Sequence, residues 1–298
     1  MQIETFRVFR DLVETTSFSK AAEANGITQS AVSQQVRAIE KRFRVRLIER
    51  GKRYFSLTPE GRAFLNASRE ILSAYDNLDN RIQAITHVIA GELRVATVLS
   101  IGLHELPPSL HAFRKSHPKV DVKVDYCRSN EVYEAVLSGR AEVGLVAYPA
   151  RKRGLKVMPF WKDQLVLACA PTHRFAKRGR KVRLTELAGE KFVAFEPDLP
   201  TRKEIDRRLK EQGVRLRPIL EFDNVETVKR AVGIEGAVSI VPGICVRNEV
   251  ASGQLVALEL DEPDMTRPLG ALIQTSAVGS PALKEFLELL EKTDLGAA

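Results

Sequence analysis

Apolar residues recur at helical spacing through the first ninety positions, and beyond them the pattern changes to short runs and strict alternation. Phe6, Phe9, Leu12 and Val13 form one stripe and predict a helix over residues 2–15. The following stretch, SFSKAAEANGITQSAVSQQVRAIEK (Ser17–Lys41), reads as two helices joined by a tight break at Gly26-Ile27-Thr28. Ala21, Ala22 and Ala24 are small enough for another helix to lie close, with Phe18 as a filler between helices. On the second helix Ala31, Val32, Val36 and Ile39 recur near the 3.6-residue period and predict its buried face. Thr28 is placed to cap that helix, its hydroxyl accepting from a free N–H of the first turn. The opposite face carries Gln29, Ser30, Ser33, Gln34 and Arg37, with no acidic residue among them. Such a face meets the requirement for reading base edges in a DNA major groove. A merely solvated polar face is the plainer alternative for this helix taken alone.

Val45–Arg50, a turn at Gly51-Lys52, and Arg53–Leu57 predict a short hairpin, with Arg50, Lys52 and Arg53 at its tip to meet phosphates or a minor groove. Thr58-Pro59-Glu60-Gly61 opens the next helix: Thr58 as N-cap, Pro59 at the first helical position, and Gly61 tolerated near the start. This helix is expected to run to about Ala90. Phe64, Ile71, Leu78 and Ile85 repeat every seven residues, and Ser68, Tyr75, Ile82 and Ile89 do so at an offset of four. Alternating steps of four and three form a coiled-coil seam, which predicts a homodimer.

Gly91 marks a change of regime. Residues 92–97, 120–126 and 143–147 read as strands, with helices over about 106–117 and 130–138 between them. That βαβαβ order implies a parallel sheet covered by helices. Further strands are predicted at 164–170, 192–195, 219–222 and 237–241, with helices near 201–212 and 225–232, and residues 269–275 and 281–290 are expected to return the chain to the first lobe. The fold class is therefore α/β overall. A winged helix-turn-helix (1–58) and a linker helix (59–90) precede a two-lobed α/β domain (91–298). Lobe 1 takes about 91–162 and 266–298, and lobe 2 about 163–265. Ligands of open α/β sheets bind at strand carboxyl ends and helix N-termini. Thr97 and Ser100, Ser129 and Asn130, and Thr201 and Arg202 occupy such places, with Arg202 a candidate partner for a carboxylate or inorganic anion. Thr201 also fits a capping box with Glu204, and Ser129 and Asn130 fit plain caps.

Charge sharpens this picture. The formal charge is +8, and residues 1–65 hold 12 Lys/Arg against 7 Asp/Glu. Eight basic residues fall within Arg37–Arg53, beside the polar helix face, where a phosphate backbone would run. The chain has no Gly-rich phosphate loop, GxSxG, HExxH or Cys/His metal cluster, so an enzyme is not expected and no cofactor is assigned beyond a small-molecule effector. Cys127, Cys169 and Cys245 are far apart in apolar surroundings and read as buried thiols. The five histidines are scattered, and surface or capping roles are expected for them. Without an apolar run of membrane-spanning length or a signal-peptide core in MQIETFRVFRDLVE, the expected location is cytoplasmic.

SFSKAAEANGITQSAVSQQVRAIEKRFRVRLIER followed by RYFSLTPEG is similar to the DNA-binding region of LysR-type transcriptional regulators, in both order and spacing. Arg44 departs from the pattern, because the family commonly closes the recognition helix with glycine. The resemblance implies a regulator that binds double-stranded DNA at an interrupted inverted repeat as a homodimer or homotetramer. It also implies a C-terminal domain like periplasmic solute-binding proteins, whose cleft Thr97, Ser100, Ser129, Asn130, Thr201 and Arg202 would line. The rival expectation is a small-molecule solute-binding protein without regulatory role, for which residues 1–90 would serve no purpose.

Overall fold

The computed structural model describes residues 1–50, 55–86, 89–177, 181–275 and 279–293. They form two compact units, Met1–Val88 and Ile89–Ala298.

The first unit opens with α1 (Ile3–Thr15), α2 (Phe18–Ala24) and α3 (Gln29–Phe43). Phe9, Leu12, Ala21, Ala22, Val32, Val36 and Ile39 close one core between them, as the helical spacing predicts. Ala24 instead stays exposed, and Ala31 is half-buried. The turn between α2 and α3 is pinned by Asn25, whose amide donates to Asp11 Oδ2 at 2.8 Å and to the Ala21 carbonyl at 2.9 Å. The first strand of the hairpin starts later than the expected Val45: β1 (Ile48–Arg50) pairs antiparallel with β2 (Phe55–Leu57). Glu40 on α3 accepts from the Leu47 N–H at 3.0 Å, which ties the hairpin to the helix.

Next comes α4 (Pro59–Thr86), which ends short of Ala90. Gly61 is required there, not merely tolerated. A Cβ at this position would lie 2.0 Å from the Leu47 carbonyl oxygen, so α4 starts directly against the strand entry. The predicted seam is divided. Phe64 packs on Phe6, Phe9 and Phe43, and Ser68 is fully buried with its hydroxyl on the Phe64 carbonyl. Ile71, Tyr75, Leu78 and Ile82 are exposed along the helix, Leu78 at 53% and Ile82 at 52%. Ile89 belongs to the second unit, where it packs on an α/β core.

The second unit holds two lobes on one mixed sheet. Lobe 1 contains β3 (Gly91–Thr97), α5 (Leu106–Ser116), β4 (Val120–Tyr126), α6 (Ser129–Leu137) and β5 (Val143–Ala147). The chain crosses on β6 (Leu155–Cys169) into β7 (Phe192–Phe195), α7 (Pro200–Glu211), β8 (Pro218–Phe222), α8 (Val225–Glu235), β9 (Val238–Pro242), α9 (Arg247–Ala251) and β10 (Val256–Glu259). It returns on β11 (Thr266–Gln274) and ends with α10 (Pro281–Lys292). Strand order is β4-β3-β5-β11-β6-β9-β7-β8, with β10 beside β6. β3 is parallel to β4 and β5, and β7 to β8 and β9. The expectation of a parallel sheet, drawn from residues 92–147, therefore holds for β4, β3 and β5. The crossing strands are antiparallel to their neighbours, because the chain leaves lobe 1 and returns in the opposite sense. The predicted strand at 164–170 is the second half of β6, whose first half pairs with β11.

Candidate nucleic-acid interface and ligand cleft

Thr28 caps α3 as its spacing implies: the hydroxyl accepts from the Ala31 N–H at 3.2 Å and lies 2.9 Å from Ser30 Oγ. Gln29, Ser30, Gln34 and Arg37 are exposed and Ser33 is half-buried, while Val32, Val36 and Ile39 are buried. Lys41 and Arg42 occupy the last turn, and Arg44 closes the helix in the left-handed region at φ 57°. Helix, donors and positive charge thus share one surface, the arrangement a polyanion bearing base edges requires. Thr58 does not join it. Its hydroxyl donates to the Arg46 carbonyl at 2.7 Å and accepts from the Gly61 N–H at 2.9 Å, so it is a buried cap on α4. Arg50 ends β1 by its backbone, while Lys52 and Arg53 lie outside the described residues.

In the second unit a cavity of about 460 Å³ opens between the lobes, within the range that small-molecule sites occupy. Ser100 and Ser129 line it from lobe 1, and Thr201 and Asn224 from lobe 2. Its apolar wall comes from Val98, Tyr126, Phe195, Leu199 and Val225. Three helices, α6, α7 and α8, begin at this cavity, and their first-turn N–H groups favour negative charge. Across the rim, Arg128 of lobe 1 meets Glu196 at 2.9 Å, Asp198 at 3.3 Å and Asp223 at 3.9 Å, all from lobe 2.

Beside the cavity lies a buried charged group. Arg267 on β11 donates to Glu105 Oε1 at 2.7 Å and to Ser100 Oγ at 2.6 Å. Both ionic side chains are essentially solvent-free, and neither Glu105 Oε2 nor Arg267 Nε has a hydrogen-bond partner among the described residues. Burial raises the Glu105 carboxyl to about 7 although Arg267 pulls it back. Asp163 on β6 is raised by burial too, while Arg267 and the N–H groups of Ile244 and Gln164 oppose that shift.

Three of the six expected cleft residues line the cavity: Ser100, Ser129 and Thr201. Thr97 does not, since it is fully buried with its hydroxyl turned toward the Val98 and Leu145 carbonyls. Asn130 points away into solvent on the first turn of α6. Arg202 is buried and bonded to Asp206 at 2.8 Å, Glu221 at 2.7 Å and the Phe195 carbonyl, which anchors α7 to the sheet. No donor of it is directed to the cavity among these bonds. The capping box at Thr201 also fails, because Leu199 is the N-cap and Thr201 follows Pro200 inside the helix.

The comparisons agree in both units. Residues 3–62 match the family described as bacterial regulatory helix-turn-helix protein, lysR family, and residues 87–294 match the LysR substrate binding domain. The chain belongs to the LysR family. The HTH-type transcriptional regulator CysL of Bacillus subtilis is 27% identical over 269 residues, covering 90% of each chain. A full-length OxyR variant from Pseudomonas aeruginosa superposes with a TM-score of 0.81 at 17% identity, covering 99% of this chain and 96% of that one. Full-length CbnR complexed with its target DNA gives a TM-score of 0.68 at 23% identity, covering 97% and 99%.

This LysR-type transcriptional regulator thus pairs a DNA-binding helix-turn-helix with an effector-binding α/β domain. None of its described helices is long and apolar enough to cross a membrane. The sequence pattern did not single out Arg128, Arg267, Glu105 or Asp163, since charged residues inside strands and turns announce no period. His104 was assigned a surface or capping role, whereas its Nε2 lies 2.8 Å from Glu226 Oε1 and joins the lobes. His87 lies outside the described residues.

Proposed function

We propose that this regulator reads its operator through α3 as a homodimer and that a small anionic effector in the interlobe cavity adjusts the bound assembly. The observation that carries the DNA part is the exposed, acid-free face of Gln29, Ser30, Gln34 and Arg37 on a helix fixed by the Thr28 cap. Gln29, Ser30, Ser33, Gln34 and Arg37 reach bases or adjoining phosphates, and the basic residues of the hairpin position the duplex. The exposed stripe of Ile71, Tyr75, Leu78 and Ile82 supports pairing of two chains, which would place two α3 helices on an inverted repeat. A tetramer would join two such pairs. The effector part rests on the cavity where three helix N-termini and two arginines meet. Closing the lobes around an anion would then shift the population of DNA-bound arrangements.

The test is selection of bound duplexes from a random library by the full-length protein, followed by footprinting. Two related half-sites in inverted orientation are expected. Gln29→Ala should cost about 1–3 kcal/mol more on the selected site than on random DNA. Sequence-independent coverage, or equal losses on both duplexes, would remove Gln29 and its neighbours from base reading. A solute-binding protein without regulatory role would enrich no sequence at all.

A further inference from the structure

We propose that Arg267 is the anion anchor of the interlobe cavity and that Glu105 is its resident counter-ion, so that an effector carboxylate binds by competing with Glu105 for the guanidinium. This rests on reading the cavity as the effector site. Arg267 lines the cavity together with Ser100, whose hydroxyl it already holds at 2.6 Å. It is nearly solvent-free, yet among the described residues its Nε has no hydrogen-bond partner and Glu105 uses only one of its two oxygens. A buried ion pair with an unused donor and an unused acceptor is incompletely compensated, which leaves the guanidinium receptive to a second anion. α6, α7 and α8 direct their N-terminal dipoles at the same space. The wall is otherwise mainly apolar, which fits an organic acid with a hydrocarbon body better than inorganic sulfate or phosphate.

The position adds a mechanical consequence. Arg267 sits on β11 in register with Asp163 on β6, where these two strands pass between the lobes. Glu105 and Ser100 belong to lobe 1, and Asp163 accepts from the Ile244 N–H of lobe 2. An anion on Arg267 therefore acts on a residue already bonded to one lobe and facing a carboxylate tied to the other.

Displacing Glu105 leaves a carboxylate without its cation in a buried place, and it takes a proton from solvent. The charged or titratable groups around it are Arg267 on β11, Asp163 on β6 and the Cys245 thiol in the turn after β9. Asp163 adds negative charge and so disfavours an ionised Glu105 once Arg267 is engaged elsewhere, while Cys245, held in its thiol form by burial, adds no charge.

Isothermal titration calorimetry on the full-length protein tests this with acetate, hexanoate and phenylacetate, their primary amides as neutral controls, and inorganic sulfate and phosphate. Runs at about pH 8 in two buffers of different ionisation enthalpy count protons. At least one organic carboxylate should bind more tightly than its amide and than either inorganic anion, with proton uptake. Arg267→Gln should weaken it about tenfold or more. Glu105→Gln, which keeps the guanidinium and removes its competitor, should tighten it and abolish the proton uptake. If Arg267→Gln does not fold, Glu105→Gln carries the test by itself. No carboxylate preferred over its amide, unchanged affinity in either variant, or proton uptake persisting without Glu105 each overturns the proposal. Thr201→Trp, which fills the cavity from α7, separates the two readings. Binding blocked by it but indifferent to Arg267 and Glu105 rejects the anchor alone, whereas binding it leaves intact rejects the cavity as the site.

Discussion

Arg44 shows how a single position can be read in sequence and still hold information back. It closes α3 at φ 57° and ψ 35°, a region that a side chain with a Cβ occupies at a cost of about 1–2 kcal/mol. Its backbone N–H still reaches the Glu40 carbonyl, so the helix end forms in spite of that cost. Arg44→Gly should therefore raise stability by about 1 kcal/mol, measured by chemical denaturation. No gain would mean that the greater freedom of glycine in the unfolded chain cancels the relief of strain. Gly61 is the converse case. Its neighbours in sequence suggest only a helix start, because the Leu47 carbonyl that excludes a Cβ is fourteen positions away. Thr58 is legible as a cap but not as a buried one; its second bond, to Arg46, is set by the hairpin. Local chemistry is readable at Thr28, whose partner lies within one helical turn, but not at Thr201, where Leu199 takes the cap position instead.

At the scale of elements, periodicity reveals α1, α3, α7 and α8 to within a few residues, because each shows one apolar face to one core. It could not divide the α4 seam. Phe64 and Ser68 carry the same seven-residue spacing as Ile71 to Ile82, but the first pair is consumed inside its own unit and the second group stays exposed. A repeat in sequence does not state which body it faces. The exposed part should carry the pairing of chains: Leu78→Glu combined with Ile82→Glu is expected to shift the protein to monomers in sedimentation velocity, with the helix-turn-helix core intact by circular dichroism. Dimers persisting at micromolar concentration would place the interface elsewhere. The first half of β6 was equally hidden, since residues 155–163 mix Lys, Pro, Trp and Asp and become a strand through pairing with β11. The charged residues beside the cleft escaped for the same reason: Glu105, Asp163 and Arg267 meet only when three separate segments come together.

For the molecule as a whole, that buried group makes stability depend on pH in an unusual sense. Folding raises Glu105 from an ordinary 4.5 to about 7, so the folded chain holds the proton more tightly than the unfolded one. Stability contributed by this group is thus full below about 4.5 and is lost as pH rises toward about 7. Asp163, raised by the same burial, adds a slope of the same sign. Carboxylates held low by cations, such as Glu92 beside Lys123 and Glu204 beside Arg207, act oppositely. The difference between wild type and Glu105→Gln isolates the one group. Denaturation midpoints measured from pH 4.5 to about 7 should diverge in favour of the variant as pH rises, and parallel curves would show that Glu105 does not titrate there. The two strands that flank this group carry one more implication. Gln164 and Thr266 are register partners, so the whole of lobe 2 enters and leaves lobe 1 at a single point, like an insertion in the tip of a hairpin. β11 also lies in the middle of the sheet, between β5 and β6. During synthesis, lobe 2 can close as soon as its own strands have emerged, whereas lobe 1, which begins first, must wait with an open sheet edge for the last strand of the chain.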